Sequence, residues 1–192
     1  MNKIFSLALL CLAAQAALAQ PAKPSYSYFE GFNLSVGAAQ NKTEKTDIAT
    51  AASNNVKNNT AVAKLNYTFA LTYPAKLGVS ATVDLKNSKI SNNETLSANG
   101  MSELTVEPGV LLVNNSLLYA KLGSYASRYE LATSAARNLS GKSLGLGIKH
   151  YVYGQNFIQA EWTQRKADDN PAGMTGVKFK QSSATVLVGF NF

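Results

Sequence analysis

Beyond residue 28 the sequence alternates polar and apolar residues with a period of two, in segments of about ten residues, and it does so eight times. Strands have this period; a helix needs its apolar residues three and four positions apart. The segments run approximately 29–40, 60–71, 77–86, 102–112, 117–128, 142–151, 156–166 and 178–191. Connections after even-numbered segments are short (72–76, 113–116, 152–155). Those after odd-numbered segments, 41–59, 87–101, 129–141 and 167–177, are longer and rich in Asn, Ser, Thr, Ala and Gly, as solvated loops are. Strict alternation of short and long connections predicts an all-β, eight-stranded antiparallel up-and-down barrel.

The apolar face includes Phe32, Leu34 and Val36 in the first segment, Leu65 and Phe69 in the second and Val79 and Val83 in the third. Leu104 and Val106, Leu118 and Leu122, Leu144 and Leu146, Ile158 and Trp162, and Val186 and Val188 continue it. Alternation alone leaves open whether this face fills a core, as in a lipocalin-like barrel, or meets lipid. Glycine separates the two. Gly31, Gly37, Gly78, Gly109, Gly123, Gly145, Gly147 and Gly189 all share the polar face. A face washed by bulk water has no use for a strand-weakening residue, whereas the crowded interior of a narrow barrel does. The polar face is therefore expected inside and the apolar face toward lipid.

In this register the interior holds Lys64, Lys121, Lys149 and Arg165 with Asp84, Glu103, Glu107 and Glu161, four charges of each sign. Charges enclosed in a narrow barrel must be paired, so these eight are expected to form a structural mid-barrel network. The tight turn at 113–116 places Glu107 near Lys121 on the neighbouring strand. A proton or ion pathway is the functional counterpart of that structural reading. Aromatics are expected as interfacial girdles: Tyr73, Tyr151, Tyr153, Phe157, Phe190 and Phe192 at the short-turn rim, and Tyr125, Tyr129 and Phe179 at the other.

Residues 1–19 carry Lys3, an apolar stretch from Ile4 to Leu18 and a terminal Ala17-Leu18-Ala19, the pattern of a signal peptide cleaved between Ala19 and Gln20. Cys11 would leave with it, so the mature chain lacks any thiol for a disulfide or a Cys-based metal site. The domains are then the signal peptide (1–19), a short lead (20–28) and the barrel (29–192). Without Lys3 the chain keeps 17 basic and 11 acidic residues, and the lysines are scattered, which argues against nucleic acid. Attraction to a phosphate-bearing glycolipid at a bacterial surface is compatible with that mild excess.

These pieces together resemble the small outer-membrane β-barrel proteins of Gram-negative bacteria: the opacity-type surface proteins, the OmpA membrane domain and the OmpX and Ail group. The likeness rests on the signal peptide, Phe-Asn-Leu-Ser-Val-Gly at 32–37, Leu-Tyr-Ala-Lys-Leu-Gly at 118–123, Leu-Gly-Leu-Gly-Ile at 144–148, Gln-Ala-Glu-Trp at 159–162 and the final Gly189-Phe190-Asn191-Phe192. The resemblance implies an outer-membrane location, periplasmic short turns and termini, and extracellular loops. It further implies that Phe190 and Phe192 signal the outer-membrane assembly machinery. The chain departs from the family at Leu187, where a glycine is usual.

Some barrels of this kind modify lipid A with a His, a Ser and an acidic residue. His150 is followed by Tyr151 and Val152, without the Ser such a site places two residues on, and it falls beside a short turn. A nucleophile needs a base within hydrogen-bond reach and an orienting acid, so His150 reads as a rim residue and no catalytic site is expected. Glu44 with Asp47, and Asp168 with Asp169, lack the spacing of a calcium loop, so neither metal nor cofactor is expected. Eight strands leave too little lumen for a porin-like channel. The sequence thus points to a monomeric, non-catalytic surface protein, working through its loops in adhesion, envelope integrity or stress resistance. Its partners would be outer-membrane lipid and lipopolysaccharide, and a host or surface ligand. A channel of low conductance is the alternative, ahead of a lipid A-modifying enzyme or a soluble binder.

Overall fold

The computed structural model describes residues 29–47, 53–85, 88–89, 96–113, 115–131, 134–167 and 177–192. The signal segment, with Cys11 and the Ala19–Gln20 cleavage site, lies outside these residues, as do Asp168 and Asp169. The barrel strands are β1 (Gly31–Asp47), β2 (Ser53–Ala70), β3 (Ala75–Asp84) and β4 (Leu96–Val113), followed by β5 (Ser116–Leu131), β6 (Ser134–Tyr153), β7 (Asn156–Ala167) and β8 (Val177–Asn191). A two-residue strand, Ser88–Lys89, adds to the start of β4. Each barrel strand pairs antiparallel with its chain neighbour, and β8 pairs with β1 to close the cylinder. Closure leaves no unpaired sheet edge, which a strand structure in lipid cannot tolerate.

The apolar face points outward. Leu65, Val83 and Leu146 are 48%, 42% and 58% exposed, while Lys64 and Lys121 on the opposite face are 1% exposed. The charged face is thus the lumen, as the glycines imply. Gly37 shows why: in register with Leu187 of β8, it lies so close that an added Cβ would meet the Val186 carbonyl oxygen at 1.9 Å. Leu187 itself is buried with Ala39 and Val62. At this position the departure from the family pattern fills the space that the facing glycine leaves.

The long connections are shorter than the sequence suggested. The expected 41–59 loop is strand through Asp47 and again from Ser53, with Asn41 opposite Asn58 and Thr46 opposite Ser53. The 129–141 loop is likewise strand through Leu131 and from Ser134. In the 87–101 region β4 already begins at Leu96. The 167–177 connection differs least, with β7 running through Ala167 and β8 starting at Val177. β1 and β6 are 17 and 20 residues long, whereas about 9–11 cross a bilayer. Beyond the apolar band the outer face meets water and the inner face lines a polar part of the lumen, where Asn41 and Thr43 are buried, so Lys42, Thr43, Glu44 and Lys45 are polar in succession. The pattern that marks a strand vanishes while the backbone ladder continues.

Candidate functional site

Three layers fill the lumen. At the short-turn end Phe29, Leu111, Leu117, Tyr119, Tyr151 and Phe157 form an apolar plug. Phe29 meets Tyr151 edge-on at 4.8 Å between ring centroids, and Tyr151 packs against Phe157 at 5.5 Å. Above it lies the ionic layer, and above that a polar layer including Thr43, Gln181 and Ser127.

In the ionic layer six charges form one chain. Lys64 Nζ lies 2.6 Å from Glu107 Oε1 and also donates to Glu161. Glu161 Oε2 accepts from Lys121 at 2.8 Å, Lys121 lies 3.9 Å from Glu103, and Glu103 accepts from Arg165 Nη2 at 2.5 Å. Three acids alternate with three bases, so the chain is neutral. The sequence placed Glu107 with Lys121; the structure pairs Glu107 with Lys64 instead and sends Lys121 over the intervening strand β6 to Glu161. Glycine again gives the reason. Lys121 lies opposite Gly145, and Glu161 opposite Gly147, so two positions without side chains separate them. Tyr119 crosses the same gap: an added Cβ on Gly147 would sit 2.3 Å from its ring, and its hydroxyl donates to Glu161 Oε1 at 2.6 Å.

The other two interior charges stand apart from this chain of ion pairs. Lys149 donates to Asn33 Oδ1 at 3.0 Å and lies 4.6 Å from the Phe157 ring centroid. Asn33 donates to Asn66 at 2.9 Å, and Asn66 donates to Glu107 at 3.0 Å, so two amides link Lys149 to the network. Asp84, on the rim of the layer, has no ion pair within 4 Å among the described residues. Neutral partners that charge counting missed complete the layer: Ser80 and Thr105 donate to Glu107, and Gln159 donates to Glu161. Asn33 and Asn66 carry a readable signal, since Asn is depleted in strands and both share the inward phase. A cavity of about 10 Å³ between Lys149, Glu107, Tyr119 and Thr68 could hold about one water.

A cylinder whose greasy surface faces outward and whose centre is a solid ionic layer is built for a bilayer. A family model, the outer membrane protein beta-barrel domain, matches residues 5–192. The chain belongs to that family. Among solved structures, Ail, the attachment invasion locus protein of Yersinia pestis, shares 16% identity with a TM-score of 0.56, covering 84% of this chain and 99% of Ail. Neisserial surface protein A shares 12% identity with a TM-score of 0.56, covering 85% and 98%. Ail in complex with the heparin analogue sucrose octasulfate gives a TM-score of 0.54 at 15% identity, covering 84% and 99%. At these identities the likeness is one of fold. A search of curated proteins gives no match.

For an outer-membrane barrel, the girdle expectation needs correction. Tyr151, Phe157, Tyr125 and Phe179 are all buried and face the lumen, because each shares the inward phase of its strand. The Tyr129 side chain lies outside the described residues. The outward aromatics at the short-turn rim are Tyr73, Tyr153 and Phe192, with Phe190 half-buried and packed edge-on against Phe192 at 5.3 Å. Phe32, Tyr67 and Phe69 extend this girdle, stacked edge to face at 4.6 Å in each pair.

His150 lies at the short-turn rim, with a partner that its local sequence does not show. The neighbouring strand supplies the hydroxyl that the local motif lacks: Ser116, opposite His150 in the register, places Oγ 2.8 Å from Nδ1. The third group on the ring is the Asn115 amide, 3.5 Å from Nε2. Among the described residues no carboxylate contacts the ring, so the pair lacks the orienting acid that a nucleophile's base needs. The pair lies on the outer face of the barrel at the short-turn rim.

Proposed function

We propose that this barrel is a non-catalytic surface protein, monomeric in the outer membrane, that acts through the polar hairpins extending beyond the apolar band. Its roles would be adhesion, envelope integrity or stress resistance. The observation that carries the reading is the filled lumen. With an apolar plug and a neutral ion chain stacked across it, the interior offers no route for a solute, which leaves the projecting ends as the surface available to partners. The complex of Ail, a barrel of like fold, with a heparin analogue supports a role in ligand binding. Residues 1–19 would be removed on export, giving a mature chain that begins at Gln20. Phe190 and Phe192 would serve as the recognition signal for the assembly machinery, with the short turns and both termini periplasmic.

Two measurements test this reading. Cells displaying the protein should lose binding to their surface ligand, or survival under envelope stress, when the hairpin ends of β1–β2 and β5–β6 are replaced by short Gly-Asn turns. Planar bilayers holding the intact barrel should carry no steady current. A steady conductance, with the hairpin replacements leaving cell behaviour unchanged, would replace this reading with the low-conductance channel.

A further inference from the structure

The strand extensions carry a charge pattern that neither the fold nor the lumen requires. On the outward face just above the apolar band, Lys142 of β6 lies directly opposite Lys166 of β7, and Lys166 lies directly opposite Lys180 of β8. On the next strand pair Lys42 of β1 lies directly opposite Lys57 of β2. Lys178 stands beside this row on β8. All six side chains are exposed, and none forms an ion pair among the described residues. Directly opposed residues of an antiparallel pair hold their Cβ atoms about 5 Å apart, where like charges repel. Three successive lysines across neighbouring strands, plus a second opposed pair, form a belt that needs an anion to settle it.

Glu44, the described carboxylate in this sector, is in register with Lys180 but its oxygen accepts from Ser53 Oγ at 3.2 Å. On the opposite side of the barrel, at the same level, β3, β4 and β5 present Leu85, Ser102, Leu104, Ser124 and Ala126, with no charge among the described outward side chains. Among the described residues the belt therefore covers one sector, spanning β6, β7, β8, β1 and β2.

We infer that this sector is a binding site for phosphate groups of a glycolipid in the outer leaflet. The inference deepens the proposed surface role and depends on its outer-membrane setting, not on any ligand of the hairpin ends. Direction selects the source of the anion. The lysines project sideways, with Leu144 following Lys142 on the same face and Trp162 lying below Lys166, both exposed at 55% and 48%. A lipid whose acyl chains cover Leu144 and Trp162 places its headgroup phosphates at the height of the lysines. A soluble polyanion would have to approach through the lipid headgroups to reach them. Long lysine stems suit the task, since their methylenes lie along apolar surface while the ammonium groups reach the headgroups.

Trp162 is the chain's single tryptophan and reports on the site directly. The test uses the protein folded in neutral detergent, titrated with bisphosphorylated lipid A, with dephosphorylated lipid A and with soluble heparin, and followed by Trp162 fluorescence. Folding of each variant is checked by its gel mobility before and after heating. Each neutralised lysine is expected to weaken lipid A binding by about fivefold at low salt. The triple variant K142Q/K166Q/K180Q should thus lose about a hundredfold, and K42Q/K57Q less. E44Q should bind severalfold tighter, an opposite sign that general disruption would not produce. Binding to dephosphorylated lipid A should be weak and indifferent to all three variants. Equal affinity for the two lipids, or a triple variant that binds like the unaltered protein, overturns the proposal. Loss of heparin binding alone, with lipid A binding kept, overturns it in favour of a soluble polyanion. None of these results bears on whether the hairpin ends engage a surface partner, which the replacements described above decide separately.

Discussion

Within the apolar band each strand meets lipid on one face and a packed lumen on the other; beyond the band the same strands meet water on the outer face and the polar upper lumen on the inner, where Thr43 and Ser127 are buried. The hydrogen-bonded ladder is continuous through the change, as Val36 opposite Ala63 and Thr46 opposite Ser53 both belong to the β1–β2 register. What changes is the consequence of a side chain's direction. In the band, direction decides between hydrocarbon and a sealed ionic layer. In the extensions it decides between two polar surfaces. Register is strongly specified in the first case and weakly in the second.

The largest effect should come from breaking register inside the band. Deleting Ala81 from β3 would turn Val83 and Leu85 toward the lumen and Thr82 and Asp84 out to lipid if the first half of the strand keeps its pairing, or turn Leu77 and Val79 inward and Gly78 and Ser80 outward if the second half does. Either way an apolar set and a polar set exchange solvents. No heat-modifiable barrel should form in detergent, and the expressed chain should fail to reach the membrane fraction.

Next in size is the ion chain. Glu161 accepts from Lys64, Lys121, Tyr119 and Gln159, and Glu161→Gln would leave two buried ammonium groups short of a counter-charge. Removing one partner of a buried ion pair costs about 3–5 kcal/mol. The urea midpoint of the folded barrel should fall accordingly, read by gel mobility because Trp162 is the neighbouring residue. A midpoint unchanged by this substitution would mean that the ionic layer fills space without contributing to stability.

On the outer surface Leu146→Arg should cost about 2–4 kcal/mol if the side chain lies near the bilayer midplane, and less toward an interface. The same substitution at Ser140, two residues along the same face and beyond Lys142, should be nearly neutral. The ratio of the two maps where the apolar band ends on β6.

These contrasts explain what could be read from the chain. Eight strands, closure and the outward direction of Leu65, Val83 and Leu146 were legible because lipid and lumen impose opposite demands on alternate residues. The lumen charges were legible as a set, since Lys64, Glu103, Glu107, Lys121, Glu161 and Arg165 share the inward phase. Their pairing was not. Strand neighbours suggest Glu107 with Lys121, but Gly145 and Gly147 open a path over β6 to Glu161, and side-chain reach through empty positions is a three-dimensional quantity. The girdle fails at Tyr151 and Phe157 for a simpler reason: the phase of the strand, not nearness to the rim, sets which way a side chain points. The Ser116–His150 pair is non-local, set by the β5–β6 register and invisible to a search for a local motif.

The smallest effect should come from shortening an extension without changing its phase. Lys45 and Thr46 lie opposite Asn54 and Ser53 in the β1–β2 ladder. Removing all four residues takes an equal length from both strands and leaves every remaining residue of the hairpin facing as before. The ladder bonds lost are exchanged for bonds to water, and a hydrogen bond moved between protein and solvent changes stability by about 0.5–1.5 kcal/mol at most. The urea midpoint should therefore shift little, far less than for Glu161→Gln, and the gel mobility should remain heat-modifiable. A large loss of stability would show that the extensions brace the barrel, and the division drawn at the edge of the apolar band would then describe sequence pattern without describing energetics. Retained stability, with altered behaviour of cells that display the shortened protein, would place structure in the band and activity in the projecting ends.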